Sequence, residues 1–181
     1  MEFIQTAFEG LFLIKPAVFR DHRGFFLESW SKESFHSAGI DADFVQDNHS
    51  MSLKKGVLRG LHFQDPPFAQ AKLVRVIRGA VYDVAVDLRR ESPTFGKWLA
   101  YELSAENFLM MYIPRGFAHG FCTLTPDTEF LYKVDNPYSS KHDRGIRWDD
   151  RDIGITWPVQ DPVISDKDTR LPYFREIISP F

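Results

Sequence analysis

Two of the six histidines, His62 and His119, fall inside stretches rich in strand-forming residues, while His22, His36, His49 and His142 stand in polar or turn-like surroundings. An imidazole held on a strand at a cavity wall suits proton transfer near neutral pH, because one nitrogen can be anchored while the other reacts. For a single strand histidine the plainer reading, a core side chain satisfied by a backbone carbonyl, is the commoner one, and His62 is favoured only by the residues around it. Such a base works best when a carboxylate fixes its tautomer. On the residues alone, Asp83 and Asp87 are the candidates for that carboxylate. Cys122 is the single cysteine, which excludes a disulfide within the chain and reads as a small buried apolar residue.

Strands must position these side chains. Gly and Pro punctuate the chain at short intervals, and between them lie runs of roughly five to nine residues rich in Val, Ile, Phe and Tyr. The clearest is Ala80 to Leu88, where Tyr82, Val84, Val86 and Leu88 alternate with Val81, Asp83, Ala85 and Asp87, giving one apolar face and one partly acidic face. Strands are also predicted at Leu11 to Phe19, Phe25 to Trp30, Phe44 to Asp47, Val57 to Phe63, Lys72 to Ile77, Trp98 to Leu103, Met110 to Ile113, Phe117 to Leu124 and Glu129 to Val134. One short helix is expected over Ser31 to Ala38, capped by Ser31 and closed by Gly39. From about Asn136 the pattern decays into Pro, Asp and Ser clusters with Trp148 and Trp157, which predicts a tail that wraps the sheets.

The 181 residues suit a single domain spanning 1–181, with a core over about 11–135 and a wrapping segment over about 136–181. About ten antiparallel strands must close or stack to hide their edges, so an all-β jelly-roll sandwich or barrel is expected. A formal charge of −3 gives no reason to expect nucleic-acid binding. The 17 Phe and 4 Trp supply flat surfaces for a core, an interface or a ring-shaped ligand. The N-terminal MEFIQTAFEG has neither a basic start nor a continuous apolar run, so neither a signal peptide nor a membrane span is expected, and a cytoplasmic setting is.

The stretch IPRGFAHGF, Ile113 to Phe121, has a Pro-x-Gly-x-x-His spacing that resembles the second cupin motif, in which Pro and Gly turn the chain and the His points into the barrel. Metal-binding cupins offer His-x-His and a nearby Glu in an earlier motif. Here that place reads His62-Phe63-Gln64, and Asp65 to Gln70 contain no Glu, so no metal is expected and His62 is left free to act as a base.

Around His62 the sequence reads GVLRGLHFQDPPFAQAKLVRVIRGAVYDVAVDLR, with DHRGFFLESW and FVQDNHS upstream and SPTFGKW, LSAEN, IPRGFAHGF, EFLYKV and SDKD downstream. In this order, over nearly the whole chain, these motifs resemble the dTDP-4-dehydrorhamnose 3,5-epimerases. The resemblance implies a cupin jelly roll, usually a homodimer with strand exchange, acting without a cofactor on a dTDP-linked 4-keto-6-deoxyhexose. It makes His62 the proton acceptor and Asp168 its paired carboxylate, Tyr132 the proton donor and Lys72 the group beside the enolate oxygen. It places Arg59 and Arg23 near the diphosphate, Glu28, Gln46, Asp47 and Asn48 at ligand contacts, and His119 at a further substrate contact. Asp143 stands where the family more often carries Glu, which puts that contact in doubt, and Lys167 matches the lysine before the paired aspartate.

Arg59 lies three residues before His62 and would face the other way in a regular strand unless Gly60 supplies a bulge. Apart from that resemblance, Tyr132 and Lys72 would read as a rim tyrosine and a solvated lysine, and Asp168 as a loop acid. The implied reaction inverts C5 and C3 of dTDP-4-dehydro-6-deoxy-D-glucose. The rivals are an epimerase of one carbon, one serving another deoxysugar pathway, a sugar-nucleotide-binding cupin without catalysis, and a cupin dioxygenase.

Overall fold

The computed structural model describes residues 1–181. Thirteen strands run in chain order as β1 Glu2–Gln5, β2 Phe12–Lys15, β3 Val18–Asp21, β4 Gly24–Leu27, β5 Gln46–Ser52, β6 Leu58–Gln64, β7 Lys72–Arg78, β8 Ala80–Asp87, β9 Trp98–Ser104, β10 Met110–Ile113, β11 Phe117–Thr123, β12 Thr128–Val134 and β13 Asp143–Gly145. Helix α1, Lys32–Ser37, lies between β4 and β5, and α2, Asp166–Thr169, follows β13. Six strands form one sheet in the order β1-β2-β10-β7-β12-β5, five form a second in the order β13-β6-β11-β8-β9, and β3 pairs only with β4. The pairings within these sheets are antiparallel. This is the all-β jelly-roll class expected from the sequence, and no helix is long and apolar enough to cross a membrane.

The alternation along β8 is real, but the two faces sit the opposite way from the usual apolar-inward arrangement. Val81 and Ala85, on the acidic face, join Val74, Val76, Met111, Phe117, Phe121 and Phe130 in the core between the sheets. Val84, Val86 and Leu88, on the apolar face, pack outward against Ile146, Ile153, Trp157 and Phe181 of the C-terminal segment. The outer face of the five-stranded sheet is therefore covered, and Asp83 and Asp87 are carried into the interior, where both are fully buried. Buried carboxylates persist only with partners. Asp87 has Arg89, Ser92 and Thr94, which makes it a structural anchor of the β8–β9 turn.

Three sequence expectations are corrected. The predicted strand Leu11 to Phe19 breaks into β2 and β3 at Pro16, which has no N–H to offer a ladder. Moreover β2 lies inside its sheet between β1 and β10, so it has no free edge with which to pair another chain. The strand placed at Phe44 to Asp47 begins at Gln46 and runs on to Ser52. Helix α1 forms as expected, with the Ser31 side chain accepting from the Ser34 N–H at 3.3 Å, but it is not alone. The Ser165 hydroxyl caps α2 by accepting from the Asp168 N–H at 3.1 Å, and the Ser-x-x-Asp spacing from Ser165 to Asp168 is the signal that could have found it.

Candidate active site

The inner faces of the two sheets part around His62 to leave a cleft of about 500 Å³. Arg59, His62 and His119 line it from the five-stranded sheet, Ser50, Lys72, Phe130 and Tyr132 from the six-stranded sheet, and the segment around α2 closes one side. Two ring faces, Phe121 and Phe130, stack at 4.2 Å in its wall.

His62 Nε2 lies 2.7 Å from Asp168 Oδ1, and the Gly60 N–H approaches the other carboxylate oxygen at 3.4 Å. The helical turn of α2 delivers Asp168 to this position, and the Ser165 cap fixes that turn. Burial alone would raise the Asp168 carboxyl, but the His62 imidazole and the Gly60 N–H outweigh it and hold the acid below the usual carboxylate range. An ionised carboxylate on Nε2 keeps a proton on that nitrogen and leaves Nδ1, which bonds to nothing else in the chain, with a free lone pair. Asp168, not Asp83 or Asp87, is thus the partner of His62.

Lys72 is buried across the cleft from that pair, its Nζ donating weakly to the His62 carbonyl at 3.5 Å. Burial pulls its ammonium down to about 8, against the opposing pull of Asp83 and Asp143. Tyr132 stands on β12, in the sheet opposite His62, and burial raises its phenol above the ordinary value, so the hydroxyl keeps its proton at neutral pH. His119 is buried on β11 beside His62, with Nε2 at 2.9 Å from Asp83 Oδ1. Burial pushes the His119 imidazole down and the Asp83 carboxyl up, and each partner partly offsets the other.

The difficulty over Arg59 is resolved at Gly60. Pairing of β6 with β11 runs His62 to His119 but Arg59 to Phe121, so β6 carries one extra residue in that interval. Gly60 takes φ +136, and a Cβ there would sit 2.6 Å from the Gly120 Cα, so only glycine permits the bulge that turns Arg59 and His62 to one cleft. The Arg59 guanidinium reaches only the Met51 carbonyl and the Ser52 hydroxyl, and no carboxylate neutralises it. Lys167 is held at 2.5 Å by Asp143, which also accepts from the Tyr138 hydroxyl at 3.2 Å.

An imidazole–carboxylate pair on one side of the cleft, with a protonated phenol and an ammonium on the sheet opposite, forms a set able to move a proton on and off carbon beside a carbonyl. The sequence profile of the dTDP-4-dehydrorhamnose 3,5-epimerases matches residues 5–176. The chain belongs to this family. The dTDP-4-dehydrorhamnose 3,5-epimerase of Shigella flexneri is 55% identical over 169 residues, which cover 93% of each chain. A crystal structure of the Bacillus anthracis dTDP-4-dehydrorhamnose 3,5-epimerase with TDP and PPi bound superposes with a TM-score of 0.94 at 51% identity, covering 96% of this chain and 99% of that one. The Legionella pneumophila dTDP-6-deoxy-D-glucose-3,5-epimerase in complex with dTDP-4-keto-L-rhamnose gives a TM-score of 0.93 at 42% identity, with 98% and 94% covered. The fold is accordingly the cupin jelly roll, and the chain is an isomerase.

Gln64, at the place where metal-binding cupins continue their ligand set, is buried and bonded on both sides of its amide. Its Nε2 donates to the Phe68 carbonyl at 2.7 Å and its Oε1 accepts from the Ser139 N–H at 2.7 Å, so it ties loops together. Other positions that the epimerase resemblance assigns to the ligand are dispersed in a single copy of the chain. Arg23 projects from the β3–β4 hairpin, paired with Asp21 at 2.6 Å, and Glu28 accepts from Ser34 at 3.3 Å, both outside the cleft wall. Alternation along β5 puts Gln46 and Asn48 on the face that Ser50 presents to the cleft, their amides bonded at 2.8 Å. Asp47 points to the other face and binds Lys133 at 2.8 Å. The sequence reading missed Ser50, whose buried hydroxyl has no partner in the chain. The period of two from Asn48 was the available signal for Ser50.

Proposed function

We propose that the chain is a dTDP-4-dehydrorhamnose 3,5-epimerase, converting dTDP-4-dehydro-6-deoxy-D-glucose to dTDP-4-dehydro-L-rhamnose in the cytoplasm. The observation that carries this reading is the placement of His62 and Tyr132 on opposing sheets of one cleft, because inversion needs proton removal on one face of a planar intermediate and delivery on the other. His62 Nδ1 withdraws the proton from C5, and from C3 in a second round. The electron pair moves onto the C4 oxygen as an enolate, which the buried Lys72 ammonium stabilises. The Tyr132 hydroxyl returns a proton from the far face and is recharged from solvent, while the His62 imidazolium releases the proton it took to solvent before the second round. Arg59 offers its paired donors to the diphosphate, Lys167 adds charge near it, and Gln46 and Asn48 present amides to the thymine edge. The ketone itself acidifies the neighbouring C–H bonds, so no cofactor enters. Incubation with the 4-keto substrate, resolved by NMR before and after prolonged EDTA treatment, tests this. Doubly inverted product in both samples supports the reading, whereas unchanged substrate, or an activity that one metal restores, contradicts it.

The pH dependence follows from Lys72. Its ammonium must be charged to hold the enolate, so turnover should fall as pH rises through about 8. Lys72→Arg, permanently charged, should lose part of the rate and also lose this alkaline limb. A limb that is unchanged in Lys72→Arg belongs to another group.

Homodimer formation is part of the same reading. Phe19, Phe25 and Phe26 are 64%, 55% and 71% exposed on the β3–β4 hairpin that bears Arg23, a cluster costly to leave in water. The hairpin of one copy covers the other, carrying Arg23 and Glu28 towards a second cleft. Light scattering at micromolar concentration should give twice the mass of one chain, and a monomer would contradict it.

A further inference from the structure

The cleft contains a second carboxylate–imidazole pair that the assigned chemistry does not use. Asp83 is wholly buried on β8, bonded through Oδ1 to His119 Nε2, and its Oδ2 has no hydrogen-bond partner in the chain. A buried carboxylate with half its acceptor capacity unmet is costly unless opposite charge lies near. Asp83 faces inward from one sheet and Lys72 inward from the other, without direct contact, and Lys72 has only one long hydrogen bond of its own. Asp83 Oδ2 and the Lys72 ammonium are thus buried, under-satisfied groups of opposite charge type on facing sheets.

We propose that Asp83 is a positioning residue for the proton chemistry, the buried counter-charge that keeps Lys72 a cation and holds His119 by Nε2 at the cleft floor. This rests on the epimerase reading, in which a cationic Lys72 holds the enolate. Around Lys72 the titratable and charged groups are His62 on β6, Asp83 on β8, His119 on β11, Tyr132 on β12 and Asp143 on β13, with Arg59, Lys167 and Asp168 further along the cleft. Of these, Asp83 and Asp143 are the carboxylates that favour the charged lysine, and Asp143 is already committed to Lys167. The two imidazole–carboxylate pairs thus serve different ends. Asp168 aims a base that changes protonation in each turnover, whereas Asp83, pushed up by burial and drawn back by the His119 imidazole and the Lys72 ammonium, exchanges no proton with the substrate.

Asp83→Asn keeps the shape and removes the charge. The alkaline limb of the rate profile should move to lower pH by about one unit or more, the usual effect of losing one nearby opposite charge. At pH 6 the variant should retain much more of the parent rate than at pH 8, and KM should change little. Asp83→Glu should restore the limb in part. A fall equal at all pH values, or a limb that stays in place, overturns the proposal. If Asp83→Asn does not fold, aspartate 13Cγ NMR of the parent protein decides. An Asp83 signal ionised at pH 7 supports the counter-charge, and a neutral carboxyl overturns it. A parent protein that turns nothing over would sink the epimerase reading instead, and the NMR result would still stand alone.

Discussion

Replacing His62 by Ala should abolish both hydrogen exchange with solvent and epimerisation, a loss of roughly 10⁴-fold, at the upper end of what a positioned base contributes. At neutral pH neither of the neighbouring nitrogen groups substitutes. His119 is bound to Asp83 and buried, and Lys72 as an ammonium has no lone pair to offer. The variant should fold, because His62 is partly exposed at the cleft and Asp168 keeps its contact with the Gly60 N–H. Leaving that carboxylate short of one partner should cost roughly 1–3 kcal/mol, visible as a lowered melting temperature. Exchange at C5 that persists in His62→Ala, followed by proton NMR, would remove His62 from the role of base.

Replacing Tyr132 by Phe should give a different failure. His62 could still withdraw a proton and return it on the same face, so exchange with retained configuration should continue while inverted product falls by roughly 10²–10⁴-fold. Only a hydroxyl is lost, and the ring keeps its packing against Phe130 at 6.1 Å, so stability should barely change. The contrast between the two variants is more informative than either loss, since a general disturbance of the cleft would reduce exchange and inversion together. Inversion at the parent rate in Tyr132→Phe would show that another donor serves the far face.

Much of this cleft was legible because its strands obey simple rules. The Val-rich runs of β7 and β8, the helix between Ser31 and Gly39, and the Pro-x-Gly-x-x-His turn into β11 all follow from local chemistry. What alternation does not give is the layer that covers each face. The C-terminal segment packs on the apolar side of β8 and thereby turns Asp83 inward, and nothing within Ala80 to Leu88 specifies that. Pairing of His62 with Asp168 joins positions 106 residues apart, so it entered through family resemblance and found its geometric reason in the Ser165 cap of a four-residue helix. Gly60 was legible as a difficulty, since Arg59 and His62 could not share a face without it. The distribution of Arg23, Glu28 and Asp47 away from the cleft was not, because a resemblance assigns contacts without saying which copy of the chain, or which face of a strand, supplies them.

The most direct test of the central claim is proton NMR of the purified protein with dTDP-4-keto-6-deoxyglucose in deuterated water. Removal by His62 and delivery by Tyr132 at two carbons predict deuterium at both C3 and C5 of an inverted product. Deuterium at one carbon alone would mark a single-centre epimerase, and deuterium at neither, with the substrate still bound, would contradict proton-transfer catalysis altogether.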